Sequence, residues 1–589
     1  MGAKMLRLSR PVLSALTLLA LVAVCSPSVS SPAVSNRNAG SLQAPNAAGQ
    51  SAQPATGPTR ATVLTLGEMS VVSAFARQGG SASTTGVEML LNAGLTARDN
   101  VGALQPRLAE QVPTIENGLW KVSPDGSMET TWKLKPRVTW HDGTQFTAGD
   151  LVFTAQMERD AEIPRATRTT AYASVDRVEA PDDRTVTVYW TRAYIDADKM
   201  FSGVFPFAQP LPKHLLEASY LENKQSMIQQ PYWTTEFIGT GPYRLRDRVQ
   251  GSHLVLAANP DYVLGRPKID EIELREVRDP NAMSATILSG VGDASYGTDS
   301  LAIDEAIQVR SQWKDGHVDY YGGLWVPVYG QYTNPTPAVL ANPQFRGALL
   351  HAIDRPALVE TFQMGVGQVM DSFLLPGQAQ YREIESRIAK YPYDARAASQ
   401  SIERLGYTRA GDGFYHDPSG QKVAVEIRAN NRITLQMQLQ SAIATYWKAV
   451  GVDVEELAVP AQRALDNEYR RTMPGFEVIV GTPTDTDRLP LLSTAAYPSP
   501  EKNYQGGNYS RYQSLELDAL IERYQVTIPT PQRIQILGQI IAHEADVLSI
   551  LPMMNNPTPV FISNRLKGTT TSTTSLGNIL WNANEWTLQ

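Results

Sequence analysis

Few places in this chain of 589 residues put reactive side chains at a productive spacing. His543-Glu544 begins like the zinc-binding helix in which a second His four residues on completes the metal grip and the Glu serves as base. Residue 547 is Val, so the second ligand is missing. His141-Asp142 has the makings of an acid–base dyad, but Gly143 follows, and Asp-Gly reads as a turn. Asp485 and Asp487 form a carboxylate pair in the loop 481–487. Among 59 acidic residues such pairs arise by chance, and a solvated loop accounts for this one. Gly290-Val-Gly292 and Gly365-Val-Gly367 lack the third glycine of a dinucleotide-binding turn. There is no Gly-x-Ser-x-Gly elbow and no Gly-Lys pair for a phosphate loop. No catalytic residue, metal or cofactor is expected. The pattern suits capture of a molecule better than its conversion.

Bulk composition narrows the classes further. Hydrophobic residues make up 42% and charged residues 19%, which excludes wholesale disorder and a coiled-coil rod. Lys and Arg number 52 against 59 acids, a net charge of −7, so no nucleic-acid partner is expected. One cysteine, Cys25, rules out a disulfide within the chain and any cysteine cluster. The length is that of about four domain-sized units, or two or three large ones.

The elements that would position a site alternate between strands and helices. Ala61–Leu66, Glu129–Lys135, Arg184–Trp190, His253–Ala257, Asp270–Arg275, Val423–Ile427 and Phe476–Val480 read as strands, several of them strictly alternating. Thr147 is a plausible N-cap for a helix beginning at Ala148. Helical periodicity follows at Phe345–Ile353, Leu435–Val450, Leu515–Tyr524 and Ile534–Leu548. No repeat of 20–50 residues is present. The mixture predicts an α/β protein built of lobes.

The N-terminus predicts export. Lys4, Arg7 and Arg10 precede an apolar run, Pro11–Val24, too short to span a bilayer as a helix. The run ends at Cys25, which resembles the lipobox cysteine of bacterial lipoproteins, although Val24 stands where a small residue is usual. An ordinary signal peptide with an incidental cysteine is the other reading. Residues 26–60, rich in Ser, Ala, Pro, Asn and Gln, read as a flexible linker. The expected location is the outer face of the cell membrane, by a lipid on Cys25.

Several blocks, in order, carry a resemblance. They are Leu104–Glu110, Trp120–Gly126, Trp132–Phe153, Gly239–Tyr243, Asn259–Ile272, Phe345–Arg355, Tyr393–Tyr407, Asn508–Asp518 and Leu551-Pro552. Together they resemble the family 5 extracellular solute-binding proteins, the peptide, nickel and opine receptors of ABC importers. The resemblance implies a bilobed, three-domain periplasmic-binding-protein-like α/β fold (class II) with a two-strand hinge. Lobe I would span 61–325 with an inserted domain at about 92–238, lobe II 326–552, and 553–589 would return to lobe I. It implies a monomeric receptor that closes on its ligand and docks on permease and ATPase subunits. Trp325, Tyr329 and Tyr332, with Tyr320 and Tyr321, cluster at the expected first crossing, where they line a cleft or pack the core. Asp485 falls where peptide-binding relatives carry a Gly-Trp-x-x-Asp segment whose Asp pairs with the ligand ammonium, though Thr482 replaces the Trp.

An oligo- or dipeptide is the first ligand expected. A nickel chelate, an opine or an oligosaccharide is the alternative within the family. A sensor lipoprotein with no transport role, or a secreted hydrolase on the same body, stands outside that reading.

Overall fold

The computed structural model describes residues 58–66, 69, 82–163, 171–202, 208–297, 301–322, 324–484, 486–572 and 579–589. The leader, Cys25, the linker as far as residue 57, and Asp485 lie outside the described residues.

Three sheets of four or more strands organise these residues. The seven-stranded sheet runs, edge to edge, Gly316–Tyr321, Thr558–Ser563, Ala294–Ser295, Arg60–Leu66, Glu271–Val277, His253–Ala258 and Tyr243–Val249. Its middle is parallel, with Arg60–Leu66 paired in register to Glu271–Val277, and its flanks are antiparallel. Parallel strands are covered on both faces, and the side chains alternate accordingly. Ala61 and Val63 enter one apolar cluster, while Leu64 enters another with Val277, Ile287 and Phe561.

A four-stranded antiparallel sheet is inserted in this part of the chain, ordered Trp120–Val122, Met128–Lys133, Thr185–Trp190 and Val175–Asp182. The alternation visible in the sequence places Trp132, Val186, Val188 and Trp190 inward. The buried Trp190 indole donates to Thr130 Oγ1 at 3.0 Å, which satisfies both groups. Helix Ala148–Arg159 lies against this sheet. Thr147 stands at the entry of the helix as its sequence position implies, and Asp150, not singled out in the sequence, turns back to accept from the Thr147 backbone N–H at 2.8 Å. His141-Asp142-Gly143 is the turn the sequence implies. Gly143 sits at φ +88°, and Asp142 accepts from the Thr144 N–H at 2.9 Å. His141 is buried between the backbones of Gly239 and Gly241, and burial lowers its pKa to about 4. Both glycines are required by close approach. A Cβ on Gly239 would lie 2.1 Å from the Leu91 carbonyl oxygen, and one on Gly241 2.5 Å from that of Leu90.

The six-stranded sheet is ordered Asp453–Val459, Ala424–Asn430, Phe476–Val478, Leu324–Gly330 and Thr482–Pro483, with Ile550–Asn555 also paired to Leu324–Gly330. Helix Thr434–Ala449 buries Leu439, Ile443 and Trp447, one per turn, against it. Gln440, on the same helix, is buried too. Its amide donates to the carbonyls of Ile427 and Leu457 at 2.6 and 3.0 Å, tying the helix to two neighbouring strands.

The chain passes between the seven- and six-stranded sheets twice. Gly316–Tyr321 continues into Leu324–Gly330, and Ile550–Asn555 continues into Thr558–Ser563. These partners are antiparallel to each other in both sheets. Between the sheets the Asn556 N–H donates to Leu324 O at 2.7 Å.

Two charged side chains, Arg346 fully buried and Glu544 half-buried, lie on the helices packed against this second half. Arg346 donates to Leu548 O at 3.1 Å, to Gln331 O at 2.7 Å and to Leu340 O, with its guanidinium 3.8 Å from the centre of the Tyr332 ring. Glu544, on helix Thr530–Val547, accepts from the Ser549 hydroxyl, while its Oε1 is buried with no partner among the described residues. Burial raises the Glu544 carboxyl to about 7 against an ordinary 4.5, the nearby arginines opposing only in part. The folded state therefore binds this proton more tightly than the unfolded one. The resulting stability is full below about pH 4.5 and is lost as pH rises through 7. Glu544→Gln is expected to raise the melting temperature over the wild type at pH 8 and by much less at pH 5. A difference independent of pH would contradict the assignment.

Candidate functional site

A cavity of about 1610 Å³ lies where the inserted sheet faces the helices of the six-stranded half. One side comes from the segment 98–104 and from residues 192–199, which follow the strand Thr185–Trp190. The opposite side comes from 374–383, 486–496 and helices Leu515–Val526 and Thr530–Val547. Tyr320, Gly322 and Asn555, at the two crossings, complete it. The volume exceeds the ~300–1,000 Å³ usual for small-molecule pockets.

Across this cavity the two sides are tied by ions. Asp487 accepts from Arg98 Nη2 at 3.1 Å and from Lys199 Nζ at 3.2 Å, partners 389 and 288 residues distant in sequence. Lys199 also reaches Asp196 at 2.6 Å. Burial alone would raise the Asp487 carboxyl, but Lys199 and Arg98 outweigh it and hold the group below its ordinary value. Burial likewise opposes the charge on Lys199, and Asp196 and Asp487 together overcome it. Beside this bridge Arg192 pairs with Glu522, and the Ile195 N–H donates to Gln525 O at 2.9 Å.

The residues singled out by sequence fall in different places. Asp485 lies outside the described residues, and its chain neighbours Thr486 and Asp487 both line the cavity. Trp325 and Tyr329 alternate with Val326 and Val328 along a fully buried strand and enter the cluster formed with Met370, Leu374, Leu489 and Ile550. Trp325 is 2% exposed and borders a small second cavity of about 30 Å³. The Tyr329 hydroxyl accepts from Arg488 Nη2 at 2.8 Å, and its ring packs on Tyr509 at 5.1 Å. Tyr332 donates to Val547 O and stacks under Arg346. None of these three is among the residues lining the large cavity, whereas Tyr320 is. Sequence reasoning passed over Arg98, Lys199, Asp198 and the pairing of Asp487. Their only local sign is the short polar turn Asp196-Ala-Asp-Lys199 after an alternating strand. Among the described residues no group of three or more His, Cys, Asp or Glu side chains could hold a metal, and no helix is long and apolar enough to cross a membrane.

Residues 103–502 match the family described as bacterial extracellular solute-binding proteins, family 5, middle region. The chain belongs to this family, and its fold is the family's bilobed, three-domain α/β architecture. A putative ABC transporter peptide-binding protein of Brucella ovis is 27% identical over 321 residues, 53% of this chain and 56% of that protein, so the match spans little more than half the relative's length. The oligopeptide-binding protein AppA of Bacillus subtilis is 24% identical over 447 residues, 75% of this chain and 76% of the relative. Among solved structures, NikZ from Campylobacter jejuni in complex with Ni(L-His) superposes with a TM-score of 0.70 at 20% identity, covering 90% of this chain and 99% of that one.

The buried bridge makes a specific demand on stability. Removing one member of a buried ionic set strands the others and costs about 3–5 kcal/mol. Asp487→Asn is expected to lower unfolding free energy in urea by that order, and Lys199→Met to cost less in the Asp487→Asn background than in the wild type. Costs that simply add would contradict the bridge.

Proposed function

We propose that this protein is the extracytoplasmic receptor of an ABC importer. It captures oligopeptides between its lobes and presents them, closed, to a membrane permease and its ATPase. The observation that carries the peptide reading is the size of the cavity, together with its mixed lining. A chelate or single amino acid would leave most of 1610 Å³ to water, whereas an extended peptide fills such a space and presents both charges of its termini to a wall bearing both signs. The relatives described as peptide-binding point the same way. The Ni(L-His) complex of NikZ keeps a small chelate as the second reading, for which a large hydrated cavity is the poorer fit.

In this account the lobes divide near the two crossings, where only Gly322 with its neighbour and the Asn556-Pro557 pair separate strands of different sheets. Ligand touches both sides only when they meet, so binding draws the population toward the closed form. Asp485, beside Thr486 of the wall, is the proposed partner of the peptide ammonium. Cys25 is the proposed lipid attachment and the protein a monomer with no catalytic activity of its own.

Native mass spectrometry of the purified protein, followed by denaturation and sequencing of the released material, tests the reading. A heterogeneous set of short peptides is the expected result. A single non-peptide adduct would overturn the peptide assignment while keeping the receptor.

A further inference from the structure

Asp198 lies in the short turn Ala197–Lys199, on the inserted-sheet side of the cavity, and is one of the residues that line it. Its Oδ1 is sealed from solvent and has no hydrogen-bond partner among the described residues. The neighbouring cations are engaged elsewhere. Lys199 bonds to Asp196 and Asp487, and Arg98 bonds to Asp487. Arg533, from helix Thr530–Val547, is close enough to stabilise the Asp198 charge, but it donates to the carbonyls of Thr527 and Ile528 and to the Thr530 hydroxyl. Arg192 is held by Glu522. The other titratable groups of this corner are the phenols of Tyr194 and Tyr524, both shifted upward by burial and neutral at physiological pH. No described residue of the lining is a histidine.

A buried carboxylate oxygen without a donor is costly, and the cost disappears when the side chain turns toward the cavity that its residue lines and meets a charged N–H of the ligand there. A site built around such a group also rejects ligands that cannot supply the donor, because they leave the oxygen unpaired. We propose that Asp198 receives a cationic nitrogen of the ligand, an ammonium or guanidinium beyond the peptide's own N-terminus, so that the receptor selects basic ligands. The inference rests on the receptor reading above and adds the ligand's charge class. In the ligand-free protein burial raises this carboxyl to about 6. A cation binds its ionised form, so preference for basic ligands weakens as pH falls through that value.

Isothermal titration of the purified protein with trilysine, trialanine, triglutamate and spermidine tests this. All three peptides carry an N-terminal ammonium, so differences among them report the side chains. At pH 7.5 trilysine is expected to bind at least tenfold tighter than trialanine, and triglutamate weakest. Asp198→Asn is expected to remove the trilysine advantage while leaving trialanine within about twofold, and Asp198→Glu to retain most of it. At pH 5 the wild-type advantage is expected to shrink. If Asp198→Asn fails to fold, Asp198→Glu and the wild-type pH series decide. An advantage unchanged by Asp198→Asn, or no advantage in the wild type, overturns the proposal, as does failure of all four probes to bind. Asp198-dependent binding of spermidine with no peptide binding would uphold the cation site and overturn the peptide reading instead.

Discussion

Two short crossings between sheets govern everything else in this molecule. The seven-stranded and six-stranded sheets share no strand, and the chain passes from one to the other only through Gly322 with its neighbour and through Asn556-Pro557. On either side of each crossing the strands are locked into antiparallel ladders, and Leu324–Gly330, Ile550–Asn555 and Thr558–Ser563 are buried along their whole length, while Gly316–Tyr321 is buried at Val318 and Tyr321. Large cores on either side, connected by two thin straps, leave a space whose walls belong to different halves, and the large cavity lies there.

Because the walls belong to different halves, some of their charged groups find partners by reaching across. Asp487 does so with Arg98 and Lys199, and Arg192 does so with Glu522. Such pairs are weak sources of net stability, since each charge gives up water, but they are exacting about geometry. They fix how the two walls meet. Among the described residues these pairs leave the buried Oδ1 of Asp198 without a hydrogen-bond partner, the group to which the proposal above assigns the ligand's cation.

Much of the architecture was legible in the sequence, and the reason is local. Alternation at Thr185–Trp190 needs only its own residues to predict a half-buried strand, and the observed burial alternates in the same way. Thr147 as the N-cap, and the run of Leu439, Ile443 and Trp447, are equally self-contained. Gln440 and Arg346 went unread as interior residues because polarity argues for solvent until the carbonyls that receive them are known. The aromatic cluster shows the limit for the site. Trp325 and Tyr329 stand at the crossing, as their position implies, yet strand periodicity turns both toward the helices packed on that sheet rather than into the large cavity. The partners of Asp487 lie hundreds of residues away in sequence, and no spacing rule connects them.

The central claim is that ligand brings the two halves together. Small-angle X-ray scattering of the purified protein, alone and saturated with a mixture of short peptides, measures this directly. The account predicts a smaller radius of gyration with peptide bound, and a scattering profile that moves toward that of the structure described above. An unchanged radius of gyration, with peptide binding verified in the same sample, would contradict it.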